Sequence, residues 1–128
     1  MNIWNEMIVR AKDIQSRVDY NNEFLDIGGV VASVLGGNGK IYTGVCVDTS
    51  CGMGFCAERS AIATMLSDGE YKIKKVLCLG ENGNLMMPCG VCREFMMQLD
   101  KNGEVEILKE LEGFKTIQLK ELMPNWWD

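Results

Sequence analysis

Apolar residues recur near the start of the chain at Trp4, Met7, Ile8, Ala11 and Ile14, the spacing of one helical face. They predict a helix from Ile3 to about Val18. The pattern then shortens. "IGGVVASVL" and "KIYTGVCV" flank the turn-rich "GGNG" and predict a β-hairpin. After the loop "DTSCGMG" helical spacing returns from about Phe55 to Leu66, and "SDG" stops it with Gly69 as C-cap. "KKVLCLG" reads as a strand and "ENGNLMM" as a loop. Pro88 stands at the start of a third helix running to about Leu99. "EVEILKEL" and "KTIQL" are expected strands, and "KELMPNWWD" a short helical turn and tail. Strand, strand, helix, strand, helix, strand predicts an α/β fold whose mixed sheet is covered by helices on both faces. With no repeat or linker, residues 1–128 are expected to form a single domain.

Composition narrows the partners. The 47% hydrophobic content is enough for an ordinary core. The formal net charge is −5, from 13 basic and 18 acidic residues, and no run of Lys or Arg exists. The electrostatic footprint of a polynucleotide binder is therefore missing, and a small uncharged or cationic partner suits the surface better. The longest apolar runs are far short of a membrane span. "MNIWNEMIVRAKDI" mixes charged and apolar residues at helical spacing, unlike a signal peptide. Six cysteines in such a chain read as reduced thiols or metal ligands, so a cytoplasmic protein is expected.

The chain has no histidine. That excludes Ser-His-Asp and Cys-His nucleophilic systems and the HExxH zinc enzymes. Proton transfer near neutral pH then falls to a carboxylate with a raised pKa, to water activated by a metal, or to a thiol. Any zinc must be held by Cys, Asp or Glu.

Two stretches offer those ligands. In "FCAERSAIATML" Cys56 precedes Glu58 at the start of the second helix, and in "PCGVCRE" Cys89 and Cys92 open the third. The C-x-x-C spacing puts two sulfurs on one side of a first helical turn. Helix N-termini carry partial positive charge and unsatisfied N–H groups, which favour thiolates. Two such termini meeting at one sheet edge would bring three thiolates to one Zn²⁺ and leave a fourth tetrahedral position for water, as in catalytic zinc sites. Three thiolates donate more charge than three imidazoles, so a neighbouring base is needed; Glu58 is the candidate. Arg59 and Arg93, adjacent to ligands in sequence, could offset the excess negative charge.

"CAERSAI" followed by "PCGVCRE" resembles the cytidine deaminase superfamily, and specifically its free-nucleoside branch, in which Cys begins the first motif. The likeness extends from "GKIYTGV" to "LKELMP". It implies a three-layer α/β/α deaminase fold with a mixed sheet of about five strands. It also implies Zn²⁺ as cofactor, held by Cys56, Cys89 and Cys92, and Glu58 as the catalytic proton shuttle. The expected reaction is hydrolytic deamination of a cytidine- or deoxycytidine-like nucleoside to the uridine-type product and ammonia, with the backbone N–H of Ala57 contacting the pyrimidine carbonyl. Small members of the family are commonly homotetramers that share active-site residues, so a homo-oligomer, tetramer or dimer, is expected.

The sugar pocket departs from the family pattern. Where cytidine-specific members carry Asn-x-Glu at the end of the second strand, Cys46 and Asp48 stand here, and Phe24 lies one residue out of register with a common Phe. Met87 replaces a common Ser. Blasticidin-S deaminases also diverge at that strand and end in aromatic residues, as Trp126 and Trp127 do here. Cys46, Asp48, Phe24 and Trp126 are thus candidate substrate contacts, and a blasticidin-like or other aminated-heterocycle deaminase is the alternative enzyme. Trp126 and Trp127 also read as a tail packed on the core or on a subunit interface. Cys78, and equally Cys46, reads as a small buried hydrophobe. The non-enzyme alternative is a structural module in which Cys51 joins the other three cysteines around zinc.

Overall fold

The computed structural model describes residues 2–128. Helix α1 spans Ile3–Arg17, with the Asn2 side chain accepting from the Trp4 amide and an Asp13–Arg17 pair one turn apart near its end. Strands β1 (Tyr20–Asn21), β2 (Leu25–Gly36) and β3 (Ile41–Thr49) precede α2 (Ala57–Ser67) and β4 (Ile73–Leu79). Helix α3 (Gly90–Leu99), β5 (Glu106–Glu110), β6 (Lys115–Gln118) and the short α4 (Leu119–Leu122) complete the chain.

The two-residue period of the strands divides the core in two. Val31, Leu35, Leu77, Leu79 and Leu108 face Trp4, Met7 and Ala11 of α1. Their neighbours Ala32, Val34, Val76 and Ile107 face Ala61, Ile62 and Met65 of α2 and Cys92, Met96 and Met97 of α3. Each layer thus buries one stripe against one sheet face, which makes the three-layer α/β/α arrangement. Ser33, buried toward α1, donates its hydroxyl to the Met7 carbonyl at 2.7 Å.

β2 pairs antiparallel with β3 and β4, β4 pairs parallel with β5, and β6 closes the sheet antiparallel to β5. The sheet has six strands rather than five because β1 pairs with Asp26 and Ile27, on the β4 side of β2 but beyond the reach of β4. A two-residue strand is too short to show alternation in sequence.

Topology places the chemistry. β3 and β4 both run antiparallel to β2, so they run parallel to each other and end at the same edge of the sheet. α2 follows β3 and α3 follows β4, so the two helices begin at that edge, where ligand sites of open α/β sheets gather. Close packing is needed to hold α2 there: a Cβ on Gly44 of β3 would lie 2.3 Å from the Ala61 amide nitrogen. The β2–β3 ladder also bulges between Ile27 and Val31. Gly28 makes the bulge with φ of 96°, where a Cβ would strike the Val18 carbonyl.

Candidate metal centre and active site

Each helix start is pinned to the end of the preceding strand. Phe55 forms an antiparallel bridge with Val47, with N···O distances of 2.9 and 3.0 Å, and fixes the residue before Cys56. Leu85 bridges Leu79, and the Met86 amide donates to the Cys78 carbonyl at 2.9 Å, fixing the approach to Pro88 and Cys89. Cys56 and Cys89 are the N-caps of α2 and α3.

The sulfurs of Cys56, Cys89 and Cys92 lie within 4.8 Å of one another, with 3.3 Å between Cys56 and Cys89 and 3.6 Å between Cys89 and Cys92. Tetrahedral zinc with Zn–S bonds of about 2.3 Å sets neighbouring sulfurs about 3.8 Å apart, so the triad fits one face of such a site. Among the described residues no fourth Cys, Asp or Glu joins it. Cys51, the fourth ligand of the module reading, is exposed in the preceding loop with its sulfur 3.8 Å from the Thr49 hydroxyl.

Burial raises the thiols of Cys56 and Cys92. Burial also pulls Cys89 upward, but the amides of Cys92 and Val91 and the neighbouring sulfurs outweigh it, leaving Cys89 lowered. A metal entering the triad therefore displaces protons. The Arg59 guanidinium lies 3.8 Å from the Cys56 sulfur, and its buried Nε has no hydrogen-bond partner among the described residues. Arg93 donates to the Pro88 and Leu122 carbonyls at 2.8 and 3.4 Å. Arg59 is thus the arginine in contact with a triad sulfur.

Glu58, in the first turn of α2, is 3% exposed. Burial raises its carboxyl pKa, opposed by its own amide, by the Cys78 thiol and by Arg59. It lines a cavity of about 410 Å³ together with Cys56, Cys89, Ala57, Cys46 and Asp48. A buried carboxyl with a raised pKa beside converging thiols is the kind of group that serves in proton transfer.

Cys46 is buried at the bulge, where its sulfur accepts from the Val30 amide at 3.2 Å. Asp48 stands exposed at the cavity wall. Phe24 and Trp126 do not line the cavity of their own chain. Phe24 is 61% exposed on the turn before β2, and the Trp126 indole donates to Glu94 at 2.9 Å. The cavity takes in Met87, at the position of the common Ser, and also Cys78, Val30 and Met86, which sequence reasoning did not place there. Strand alternation contained the signal for Cys78, which shares a face with Val76 at the C-terminal end of β4. Its thiol, raised by burial and then by the Glu58 charge, stays protonated against that carboxylate.

Comparison with known proteins agrees with this geometry. The sequence pattern of the cytidine and deoxycytidylate deaminase zinc-binding region matches residues 4–107. A cytidine deaminase of Mycobacterium tuberculosis is 29% identical over 97 residues, covering 75% of this chain and 70% of the relative. A probable cytidine deaminase of Dictyostelium discoideum is 34% identical over 96 residues, covering 73% of this chain and 65% of the relative. The crystal structure of the cytidine deaminase from Bacillus anthracis superposes with a TM-score of 0.77 at 25% identity, over 98% of this chain and 90% of that one. That of the M. tuberculosis enzyme gives 0.80 at 23% identity, over 100% and 99%.

Proposed function

The chain belongs to the zinc-dependent cytidine and deoxycytidylate deaminase family, hydrolases acting on a carbon–nitrogen bond, and from that premise we propose the substrate, residues and assembly through which it works. The substrate is an amino-pyrimidine nucleoside of the cytidine or deoxycytidine kind, converted to the uridine-type product and ammonia. The observation that carries the reading is the buried Glu58 carboxyl in one cavity with Cys56 and Cys89, whose sulfurs converge with that of the buried Cys92.

Zinc held by Cys56, Cys89 and Cys92 would supply the Lewis acidity that makes water nucleophilic near neutral pH. Glu58 takes a proton from the attacking water and passes it to the ring nitrogen as the oxygen bonds to the amino-bearing carbon. It then returns the second water-derived proton to the amino group, the carbon–nitrogen bond breaks, and ammonia leaves. The Ala57 amide donates to the ring carbonyl, a role supported by its position at the start of α2 on the cavity wall. Asp48 faces the sugar side.

A second reading is favoured by one contact. The Cys46 sulfur is already engaged by the Val30 amide, so it offers a sugar hydroxyl little, and Asp48 stands without a neighbouring amide side chain. An aminated heterocycle with a different substituent, blasticidin S among them, fits that wall as well. Phe24 lies outside its own chain's cavity, so a substrate contact by Phe24 requires a neighbouring chain. The proposed assembly is accordingly a homotetramer or dimer, built of single domains spanning 1–128. Six free cysteines, three of them in the triad, suit a reducing cytoplasm.

Two measurements test this. Ammonia release is screened with cytidine, deoxycytidine, blasticidin S and other aminoheterocycles. Glu58→Gln keeps the side-chain size but cannot accept the proton, so turnover of the best substrate is expected to fall about 10²–10⁴-fold with zinc content unchanged. A Glu58→Gln protein as active as the parent rules out the shuttle.

A further inference from the structure

The start of α3 carries two of the three sulfurs, on the N-cap Cys89 and on Cys92 in the first turn. Its outer side is gripped by the end of the chain. The Glu94 carboxylate accepts the Trp126 indole N–H at 2.9 Å and the Trp127 indole N–H at 3.1 and 3.2 Å, and the two rings lie 5.0 Å apart. Asn125 takes the left-handed conformation, φ 58°, that turns the tail back and lets both indoles meet one carboxylate. Trp126 packs against the core beside Leu122 and Met123, and Arg93 ties the same helical turn to the Leu122 carbonyl.

We infer that Glu94, Trp126 and Trp127 form a strap that holds Cys89 and Cys92 of α3 in register for the metal, with Glu94 as a positioning residue. Three sulfurs at such separations repel one another as thiolates, and the start of α3 carries two of the three. Release of the metal requires that turn to move outward. The strap links this movement to the loss of charge-assisted hydrogen bonds, which are among the stronger ones. Glu94 does not touch the sulfurs; it acts through the helix. The inference rests on the three-thiolate zinc site.

The test is zinc transfer from the purified holoprotein to an excess of chromogenic chelator, beside the visible absorption of the cobalt-substituted protein. Trp126→Phe with Trp127→Phe keeps an aromatic ring at each position and removes both donors. It is expected to release zinc about tenfold faster, the lower end of the effect of supporting partners on metal sites. Cobalt bands should change in shape, because sulfur geometry and not only overall stability is altered. Glu94→Ala should match it, and Glu94→Gln, which keeps one acceptor oxygen, should fall between. Gln98→Ala removes the carboxylate's partner one turn along α3, at 2.9 Å, and should leave release unchanged. Parent-like release and cobalt bands in the double Phe variant overturn the strap, as does equal acceleration by Gln98→Ala. If the double variant does not fold, Trp127→Phe alone, at a largely exposed ring, is held to the same two outcomes. A parent protein without zinc would instead refute the metal site itself.

Discussion

Cys51 and Cys56 stand five residues apart on one loop, and only Cys56 reaches the sulfur triad. The difference is set by the Phe55–Val47 bridge, which fixes the backbone at Cys56 and leaves Cys51 outside it. Substitution should therefore separate them. Cys51→Ser is expected to keep zinc and fold, with loop effects of about 1 kcal/mol or less. Cys89→Ala removes a ligand shared by two close sulfur contacts and should lose the metal. Zinc analysis and thermal melting of the two variants check both outcomes, and zinc loss in Cys51→Ser would restore the four-cysteine site. The triad and Glu58 were legible in sequence because each motif lies within one helical turn, where spacing fixes direction. Cys46 was not legible in the same way. Its engagement by the Val30 amide depends on a bulge in another strand, which no local spacing reveals.

Elements were read well where the period was long and clear. Helix α1 ends at Arg17, one residue before the expected Val18, and the β2–β3 hairpin turns over the expected glycines. Gly69 follows the Asp68 cap of α2 with φ of 84°. Helix α3 starts at Gly90 with Cys89 as cap, so Pro88 precedes the helix and does not open it. The fit of α2 on β3 is where element packing meets chemistry. Gly44 faces α2, and an added Cβ would meet the Ala61 amide at 2.3 Å and the Ala57 carbonyl at 2.8 Å. These contacts are backbone, so no side chain can swing aside. Gly44→Ala is expected to push the start of α2 off the sheet and to destabilise the protein by about 3 kcal/mol, the upper part of the overpacking range. Because Ala57, Cys56 and Glu58 move with that turn, zinc affinity and turnover should fall together. Urea unfolding with zinc titration checks this; a Gly44→Ala protein as stable as the parent would mean that α2 is not seated by this contact.

At the scale of the whole molecule, one chain leaves its cavity flanked by apolar surface. Phe55, Met86 and Met87 line it and are each at least 37% exposed, and Met53, in the same loop as Phe55, is 73% exposed. Exposed apolar side chains beside a ligand cavity mark either an interface that a partner covers or the ligand groove itself. Phe24, exposed and outside its own cavity, is consistent with that partner being another copy of the chain. Nothing in the sequence pattern distinguishes such residues from ordinary exposed hydrophobics, because the period of an element shows which face is apolar and not what covers it. Sedimentation velocity at micromolar concentration should give a species of two or four times the 14.3 kDa chain. Met53→Glu places a charge on the exposed loop without altering a cavity-lining residue. In an oligomer whose interface includes that loop, the buried charge would shift the equilibrium toward monomer, and turnover per chain would then rise with protein concentration. A parent protein that sediments as a monomer and is fully active at every dilution would show that the cavity is complete within one chain, and the apolar rim would have to be explained by the substrate alone.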